Sequence, residues 1–480
     1  MMSDWQVAVI GAGPGGYAAA IRCAQLGMKT VCIDQFTDAN DQPSLGGTCL
    51  NVGCIPSKAL LEDSHFYHKI KQGHSAFDIP SVSVDLGRLQ ERKQAVVSRL
   101  CKGISQLLQG NGVHAITARA QLTRAGEILL DNGQSLSAKH IILATGSIPI
   151  EIPPAPFDHT RILDSTDALS LTAVPPRLAI IGAGAIGLEL GSIWGRLGSE
   201  VTILEALPDF LPTLDRDIAR IAQRPLQQEG LNIQLGCRVQ AATVKKDQVE
   251  VCWEHETGTE KQLFDKVIVA VGRRAATDTL LAPDCGLELD NKGQIPVDDY
   301  CHTELDNIWA IGDIVRGPML AHKATEEGVM VAERIAGEQT AVNYDLIPSV
   351  IYTHPEIATV GKSETQCKSE SIDCHSSSFS FAANGRALAA DESIGKVKLV
   401  GEKIQSGTAG IEGTRILGCQ VVGPSAAEIV QQAAIAMEFG ALAEDLALTT
   451  FSHPTISECL HEAALDLCGH PLHQLKKPKR

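Results

Sequence analysis

The chain has 480 residues, a formal net charge of −16 and an apolar fraction of 44%. That length predicts about three domains with ample core. The acidic balance argues against nucleic-acid or anionic-membrane binding, the only basic block being the short run Lys476-Lys477-Pro478-Lys479-Arg480, and no apolar stretch is long enough to span a bilayer.

Fourteen cysteines in so long a chain are not a disulfide scaffold. No signal-like stretch precedes the first strand. The reading is a cytoplasmic protein with mostly reduced thiols, and a mature organelle-matrix form would look the same. Forty-three glycines with 4% aromatics fit an α/β enzyme rich in phosphate turns.

The first strand runs from Trp5 to Ile10 and feeds Gly11-Ala12-Gly13-Pro14-Gly15-Gly16. A helix from Tyr17 to Leu26 and a strand from Thr30 to Ile33 follow, and that strand ends at Asp34. In such a unit Gly11 allows the tight turn, Gly13 lets the backbone reach a pyrophosphate and Gly16 permits close helix–strand packing. The helix N-terminus supports phosphates, and the acid binds ribose hydroxyls.

Next comes GGTCLNVGCIPSKALL, residues 46 to 61. Cys49 and Cys54 are five residues apart. Along a regular helix that is a rise of about 7.5 Å, with the side chains diverging, whereas a disulfide needs Cα atoms within roughly 7 Å. If the pair bonds, the segment is not regular helix. Gly53 lets the chain bend. Pro56 suits a first helical position, with Cys54 just before it, where the helix dipole favours a thiolate. Downstream of a dinucleotide fingerprint the pair reads as a redox disulfide. Two ordinary reduced thiols are what a bare C-x4-C favours.

The fingerprint then repeats. A strand from Leu178 to Ile181 leads into Gly182-Ala183-Gly184-Ala185-Ile186-Gly187, then a helix from Leu188 to Leu197 and a strand from Val201 to Leu204 ending at Glu205. An acid there, with no arginine in the residues that follow, prefers NAD to NADP. One module can serve FAD and the other NAD; two structural repeats with one empty site are the alternative. Three strand ends feed glycine turns at Leu143-Ala144-Thr145-Gly146-Ser147, Val269-Ala270-Val271-Gly272-Arg273 and Trp309-Ala310-Ile311-Gly312-Asp313. They read as returns of the chain to the nucleotide domains. Near the end, His453-Pro454 precedes a helix with Glu458 in its first turn. Spacing alone would make that a helix cap beside a surface ion pair.

Taken together these residues resemble the pyridine nucleotide–disulfide oxidoreductases, and within them the dihydrolipoamide dehydrogenase branch. The resemblance covers essentially the whole chain. It rests on GAGPGGY at 11–17, the 46–61 segment, GAGAIGLELG at 182–191, AIGDIVRGPMLAHKATEEG at 310–328, IPSVIYTHPEIATVGKSE at 347–364 and FSHPTISECLHEA at 451–463. Glutathione reductase-like chains differ at MLAHKATEEG and HPTISE. Mercuric reductase-like chains end in a cysteine pair. Soluble transhydrogenase-like chains lack a complete redox pair.

The resemblance implies an α/β fold with two Rossmann-like nucleotide-binding domains, for FAD and NAD, and a C-terminal α+β dimerisation domain. The expected segments are 1–148 for FAD with the redox disulfide, 149–275 for NAD, 276–345 completing the FAD site and 346–480 for dimerisation. Cys49 is implied as the interchange thiol and Cys54 as the flavin-facing thiol. His453 is implied as the base, oriented by Glu458 and reaching the disulfide of the other subunit of a homodimer. Lys58 and Glu189 are implied as an ion pair beside the flavin. FAD contacts are implied at Gly11, Gly13, Gly16, Asp34, Lys58, Ala120, Thr145, Gly146, Ser147, Asp313, Met319, Leu320, Ala321 and His322. NAD contacts are implied at Gly182, Gly184, Gly187, Glu205, Val239 and Gly272.

The implied reaction is oxidation of protein-bound dihydrolipoyl groups with reduction of NAD+. The implied partners are the lipoyl domains of acyltransferase subunits or a lipoyl carrier protein, in a 2-oxoacid dehydrogenase or glycine-cleavage complex. A related flavin disulfide reductase for another small disulfide is the alternative, and an assembly subunit with incidental turnover is a third reading. No metal site is expected, and His354 reads as structural at the dimer core.

Overall fold

The computed structural model describes residues 5–38, 40–73, 76–79, 81–123, 127–404 and 412–475. The basic run Lys476 to Arg480 lies outside the described residues. The chain forms two compact units. The first is Met1–Asp63, Asp78–Ala173 and Val269–Val342; the second is Ser64–Phe77, Val174–Ile268 and Asn343–Arg480.

The first unit is built on a sheet whose parallel part has the order His114–Thr117, Thr30–Asp34, Trp5–Ile10, Ser135–Leu143. Ile308–Ala310 adds a further parallel strand on Ser135–Leu143. Glu127–Leu130 and Ala120–Leu122 extend the sheet antiparallel. Side chains alternate between its two faces. Val7 and Val9 join one core cluster with Ala19, Val97, Ile104 and Val331, while Ala8 and Ile10 join another with Leu122, Ile128 and Leu280. A strand buried on both faces reads as a continuous apolar run, which is why Val7–Ile10 shows no polar alternation.

The helices Pro14–Gln25 and Ala321–Ile335 pack backbone to backbone. A Cβ on Gly15 would sit 2.8 Å from the Ala324 carbonyl oxygen, and one on Gly328 only 2.4 Å from that of Gly15. The Arg22 guanidinium closes this crossing on Glu333 at 2.7 Å.

Around the cysteine pair the chain makes two helical pieces, Gly47–Val52 and Cys54–Gln72, broken at Gly53. The break was expected; the expected start of the second helix at Pro56 is overturned, because Cys54 is its first residue. Pro56 costs nothing at the third position, since the first four N–H groups of a helix have no intrahelical acceptor. At Gly53 a Cβ would lie 2.9 Å from the Thr48 carbonyl oxygen, so the tight join excludes other residues.

In the second unit the parallel strands Asn232–Gln234, Glu200–Leu204 and Arg177–Ile181 pair in that order, with helices Ala185–Leu197 and Arg216–Gln228. A three-stranded antiparallel sheet, Arg238–Lys245, Gln248–His255 and Gly258–Phe264, accompanies them. A five-stranded antiparallel sheet has the order Ser349–Ile351, Glu356–Gly361, Gly413–Gly423, Lys396–Ile404, Cys374–Ser380. Helices Ala426–Glu438 and Glu458–Leu467 bury Ile429, Val430, Leu460 and Ala463 in its core. No helix among the described residues is long and apolar enough to cross a membrane.

Candidate active site

In the first unit the nucleotide turn and the cysteine segment are one packed feature. Gly11 has φ +105°, and a Cβ on it would lie 2.2 Å from the Ala144 carbonyl oxygen. On Gly16 it would fall 1.8 Å from the Gly11 carbonyl oxygen. Both positions therefore demand glycine, as the turn chemistry predicts. The helix Pro14–Gln25 has Gly13 as N-cap and no side-chain cap hydrogen bond, the kind of N-terminus that suits a phosphate. Asp34 accepts the N–H groups of Ala12 and Phe36, the latter at 2.7 Å. Burial pushes its carboxyl up, and those two N–H groups oppose the rise.

The Gly46 N–H donates to the Ala12 carbonyl at 2.9 Å, and a Cβ on Gly47 would lie 2.6 Å from the Gly13 Cα. The segment carrying Cys49 thus lies directly against the phosphate turn. Cys49 and Cys54 are not joined by a disulfide here. A hydrogen bond between them, reinforced by burial, pushes the Cys49 thiol far up, and the Lys58 charge pulls the other way. Tyr17 packs in the same cluster; burial raises its hydroxyl, and the charge of Cys49 adds to that.

Two side-chain arrangements in this unit were not foreseen. Arg273 donates from Nε to the Ser147 hydroxyl at 2.8 Å and also to the Ser147 carbonyl. The same hydroxyl donates to Asp313 at 2.5 Å. Burial pushes the Arg273 guanidinium down, while Asp313, Asp164 and Cys54 pull it back up. An arginine next to a strand-end glycine was the only local signal. Second, Lys323 and Glu327, both fully buried, pair at 3.1 Å. They grip Gly312, whose N–H donates to Glu327 at 2.7 Å and whose carbonyl accepts from Lys323 at 2.9 Å. Their i,i+4 spacing within AHKATEEG is equally that of a surface ion pair and carries no local sign of burial.

The other expected residues of this unit sit at element ends. Thr145 donates its hydroxyl to the Ala276 carbonyl at 2.8 Å, and Gly146 has φ +72°. Ala120 is buried in Ala120–Leu122. Met319, Leu320, Ala321 and His322 surround the start of Ala321–Ile335, which has Leu320 as N-cap and no side-chain cap. Gly272, expected beside NAD, belongs to this unit, and its carbonyl accepts the Ile150 N–H at 3.1 Å. Lys58 lies here too, with Nζ 3.4 Å from the Ser57 hydroxyl.

The second unit repeats the turn. A Cβ on Gly187 would lie 2.0 Å from the Gly182 carbonyl oxygen, and Gly182 has φ +107°. Gly184 is N-cap of Ala185–Leu197 with open space at its Cβ position. Glu205 accepts the Ala183 N–H at 2.8 Å and the Leu207 N–H at 2.9 Å, which matches the way Asp34 holds Ala12 and Phe36. The Cys237 N–H donates to the Glu205 carbonyl at 2.8 Å, which places Val239 just beyond the acid. Glu189 is buried and accepts the Tyr352 N–H at 3.0 Å.

Also in this unit, His453 Nδ1 lies 2.8 Å from Glu458 Oε1, with the imidazole 79% and the carboxylate 26% exposed. Burial pushes Glu458 up, but the Thr455 N–H, His453 and His473 outweigh it and leave the carboxyl below its usual value. A second pair stands further along the same helix: His473 Nδ1 lies 2.6 Å from buried Glu462.

The family described as pyridine nucleotide-disulphide oxidoreductase matches residues 5–328, and its dimerisation domain matches residues 347–464. The chain belongs to that family, a class of FAD- and NAD-dependent oxidoreductases, and carries its dimerisation domain. Within the class it is 43% identical over 473 residues to a dihydrolipoyl dehydrogenase of Cupriavidus necator, covering 97% of this chain and 98% of the relative. It is 42% identical over 478 residues to a Glycine max protein named leghemoglobin reductase, covering 98% and 89%. A solved structure of the HOCl-induced flavoprotein disulfide reductase RclA from Escherichia coli superposes with a TM-score of 0.83 at 28% identity, covering 96% and 99%. The residues present fit both cofactors: each turn has a helix N-terminus without a side-chain cap, a glycine as its N-cap and an acid at the end of the following strand.

Proposed function

We propose that this enzyme oxidises protein-bound dihydrolipoyl groups and reduces NAD+. The observation that carries the reading is the hydrogen-bonded pair Cys49 and Cys54 on a segment packed against the first phosphate turn. The lipoyl chemistry is supported by the dihydrolipoyl dehydrogenases at 43% identity over nearly full length. The proposed partners are the lipoyl domains of acyltransferase subunits or a lipoyl carrier protein. The proposed segments remain 1–148, 149–275, 276–345 and 346–480. The proposed setting is the cytoplasm or an organelle matrix.

In the oxidised enzyme a dihydrolipoyl thiolate attacks Cys49 Sγ. The Cys49–Cys54 bond breaks and Cys54 leaves as thiolate. The second dihydrolipoyl thiol, deprotonated by His453 of the partner subunit, attacks its own ring's sulfur in the mixed disulfide. That closes the lipoyl ring and releases Cys49, which takes the proton back from the imidazolium. Glu458 holds His453 Nδ1 so that the other ring nitrogen does the proton transfer. The contribution of the bound cofactors is to take the electron pair off the dithiol through FAD to NAD+, giving NADH and one proton. Lys58 and Glu189 are proposed, by family resemblance, as the ion pair beside the flavin. Arg273, tied to Ser147 and through it to Asp313, interacts electrostatically with Cys54 and would favour anionic sulfur there.

The soybean relative, which bears a different name at nearly the same identity, favours a second reading: a related reductase for another small disulfide. Anaerobic reduction of NAD+ by dihydrolipoamide with the pure holoprotein decides. Turnover is expected, and Cys49→Ser and Cys54→Ser are expected to abolish it while FAD stays bound. Full turnover by Cys49→Ser would sink the disulfide mechanism. Faster NADH-driven reduction of a different disulfide would favour the second reading.

A further inference from the structure

Away from the nucleotide turns and the thiols, three side chains of the second unit converge. His65 projects from Cys54–Gln72, His354 follows Ser349–Ile351, and Glu392 follows the helix Gly385–Ala389. One ligand-capable atom of each lies within 4.8 Å of the other two, and all three are half-buried. The imidazole centroids are 3.9 Å apart with the rings tilted by 32°. The Nδ1 atom of His65 is buried and has no hydrogen-bond partner among the described residues. Native cores rarely leave such an atom unsatisfied, so the orphan calls for a ligand or another explanation.

Charge in the cluster is arranged for a cation at the carboxylate. Lys69, four residues beyond His65, places Nζ 2.7 Å from Glu392 Oε1, with its own side chain 47% exposed. Arg196, the other strong cation nearby, is already held by Glu229 at 3.1 Å. Burial keeps both imidazoles neutral at pH 7, His65 down at about 3 and His354 at about 4. The charges of Arg196 and Lys69 push both further down, that of His68 acts on His354, and Glu392 opposes the fall at His65. Neutral imidazole is the form that ligates metals.

We propose that His65, His354 and Glu392 form a binding site for a divalent transition metal of the zinc type, in which the metal replaces the Lys69 ammonium at Glu392. Two imidazoles and one carboxylate suit zinc and its neighbours better than magnesium or calcium, which prefer all-oxygen shells. Bonds of about 2.0–2.2 Å to a tetrahedral ion require the three atoms to draw together by about 1 Å. Glu392, on a turn, and the released Lys69, on the surface, have the freedom to allow that. Water takes the fourth position. The metal would tie the 64–77 segment to the turns at His354 and Glu392, stabilising the second unit by mass action. The three ligands are far apart in the chain, so no spacing motif announces them.

The test titrates oxidised holoenzyme, its Cys49–Cys54 disulfide closed and accessible thiols alkylated, with Zn(II) by equilibrium dialysis, and with Co(II) by visible absorption. One Zn(II) per subunit is expected, with a raised Tm and a Co(II) spectrum free of thiolate charge-transfer bands. Glu392→Gln and His65→Asn are each expected to weaken binding by at least about tenfold, the scale at which even an outer partner of a ligand counts. Glu392→Gln changes a turn residue and leaves the core intact, so it remains informative if His65→Asn unfolds. Absence of stoichiometric binding, a thiolate band, or binding indifferent to Glu392→Gln would overturn the proposal and leave the histidines a neutral stacked pair.

Discussion

His453 Nδ1 and Glu458 Oε1 are 2.8 Å apart, and the second oxygen of that carboxylate accepts the Thr455 N–H, also at 2.8 Å. Glu458 is the first residue of its helix, where the dipole favours a carboxylate. The imidazole is thus held by one nitrogen and free at the other. His453→Gln is predicted to lower dihydrolipoamide turnover by about 10²–10⁴-fold, the usual range for a lost general base. Glu458→Gln should lose less and shift the pH profile, because it disturbs orientation and not the base itself. Steady-state kinetics across pH, with bound FAD checked by absorbance, read both. Normal kinetics in His453→Gln would remove it from the mechanism.

Mixing two inactive variants tests whether the base acts across subunits. Dimers holding one Cys49→Ser chain and one His453→Gln chain contain one intact site only if the base comes from the partner. Random reassortment should then restore about one quarter of the wild-type sites. Action within one subunit predicts no recovery at all.

Lys323 and Glu327 hold both backbone groups of Gly312, the residue before Asp313. Lys323→Met takes the ammonium from beside a buried carboxylate, so a loss of about 3–5 kcal/mol of stability is expected. The double variant Lys323→Met/Glu327→Leu should recover only part of it. The Gly312 N–H and carbonyl then lack both partners, at about 1–3 kcal/mol each. Chemical denaturation measures the stability, and FAD release during dialysis shows whether Asp313 has been displaced. Full recovery in the double variant would show that Gly312 does not need the pair.

His65 and His354 also make a prediction for pH. Both lie below their ordinary value, mainly through burial, at about 3 and about 4. Unfolded, each titrates near about 6.5. Below that pH the unfolded chain takes up protons that the folded chain refuses, so this stability is complete above pH 6.5 and declines as the pH falls toward 4. With chelator present, the denaturation midpoint should drop over that window, by roughly 2–4 °C in Tm per kcal/mol lost. His65→Asn/His354→Asn should flatten the drop; an unchanged slope would rule these two groups out.

The two nucleotide turns were legible because their constraints are local. Gly16 and Gly187 are dictated by clashes with the carbonyls of Gly11 and Gly182 five residues earlier, Gly11 and Gly182 take the positive φ of the turn, and the acids at 34 and 205 end strands whose apolar runs are short and continuous. The break at Gly53 was legible for the same reason, while the helix start at Cys54 was not, because proline is tolerated throughout a first turn. The orienting of His453 by Glu458 lay within one turn of helix and loop, and FSHPTISE carried it by resemblance.

What depended on the tertiary structure was every pairing between distant residues. Nothing at position 273 says that its guanidinium will meet Ser147, which is brought to it by the pairing of Ser147–Pro149 with Arg273–Ala275. Nothing in AHKATEEG says that the charged pair is buried; burial comes from packing Ala321–Ile335 on Pro14–Gln25 at Gly15 and Gly328. The Gly13–Gly47 approach and the His65–His354–Glu392 convergence have the same origin. Local pattern decides which element forms and where it ends. Register and packing between elements decide which side chains meet and lose water, and those are properties of the whole chain.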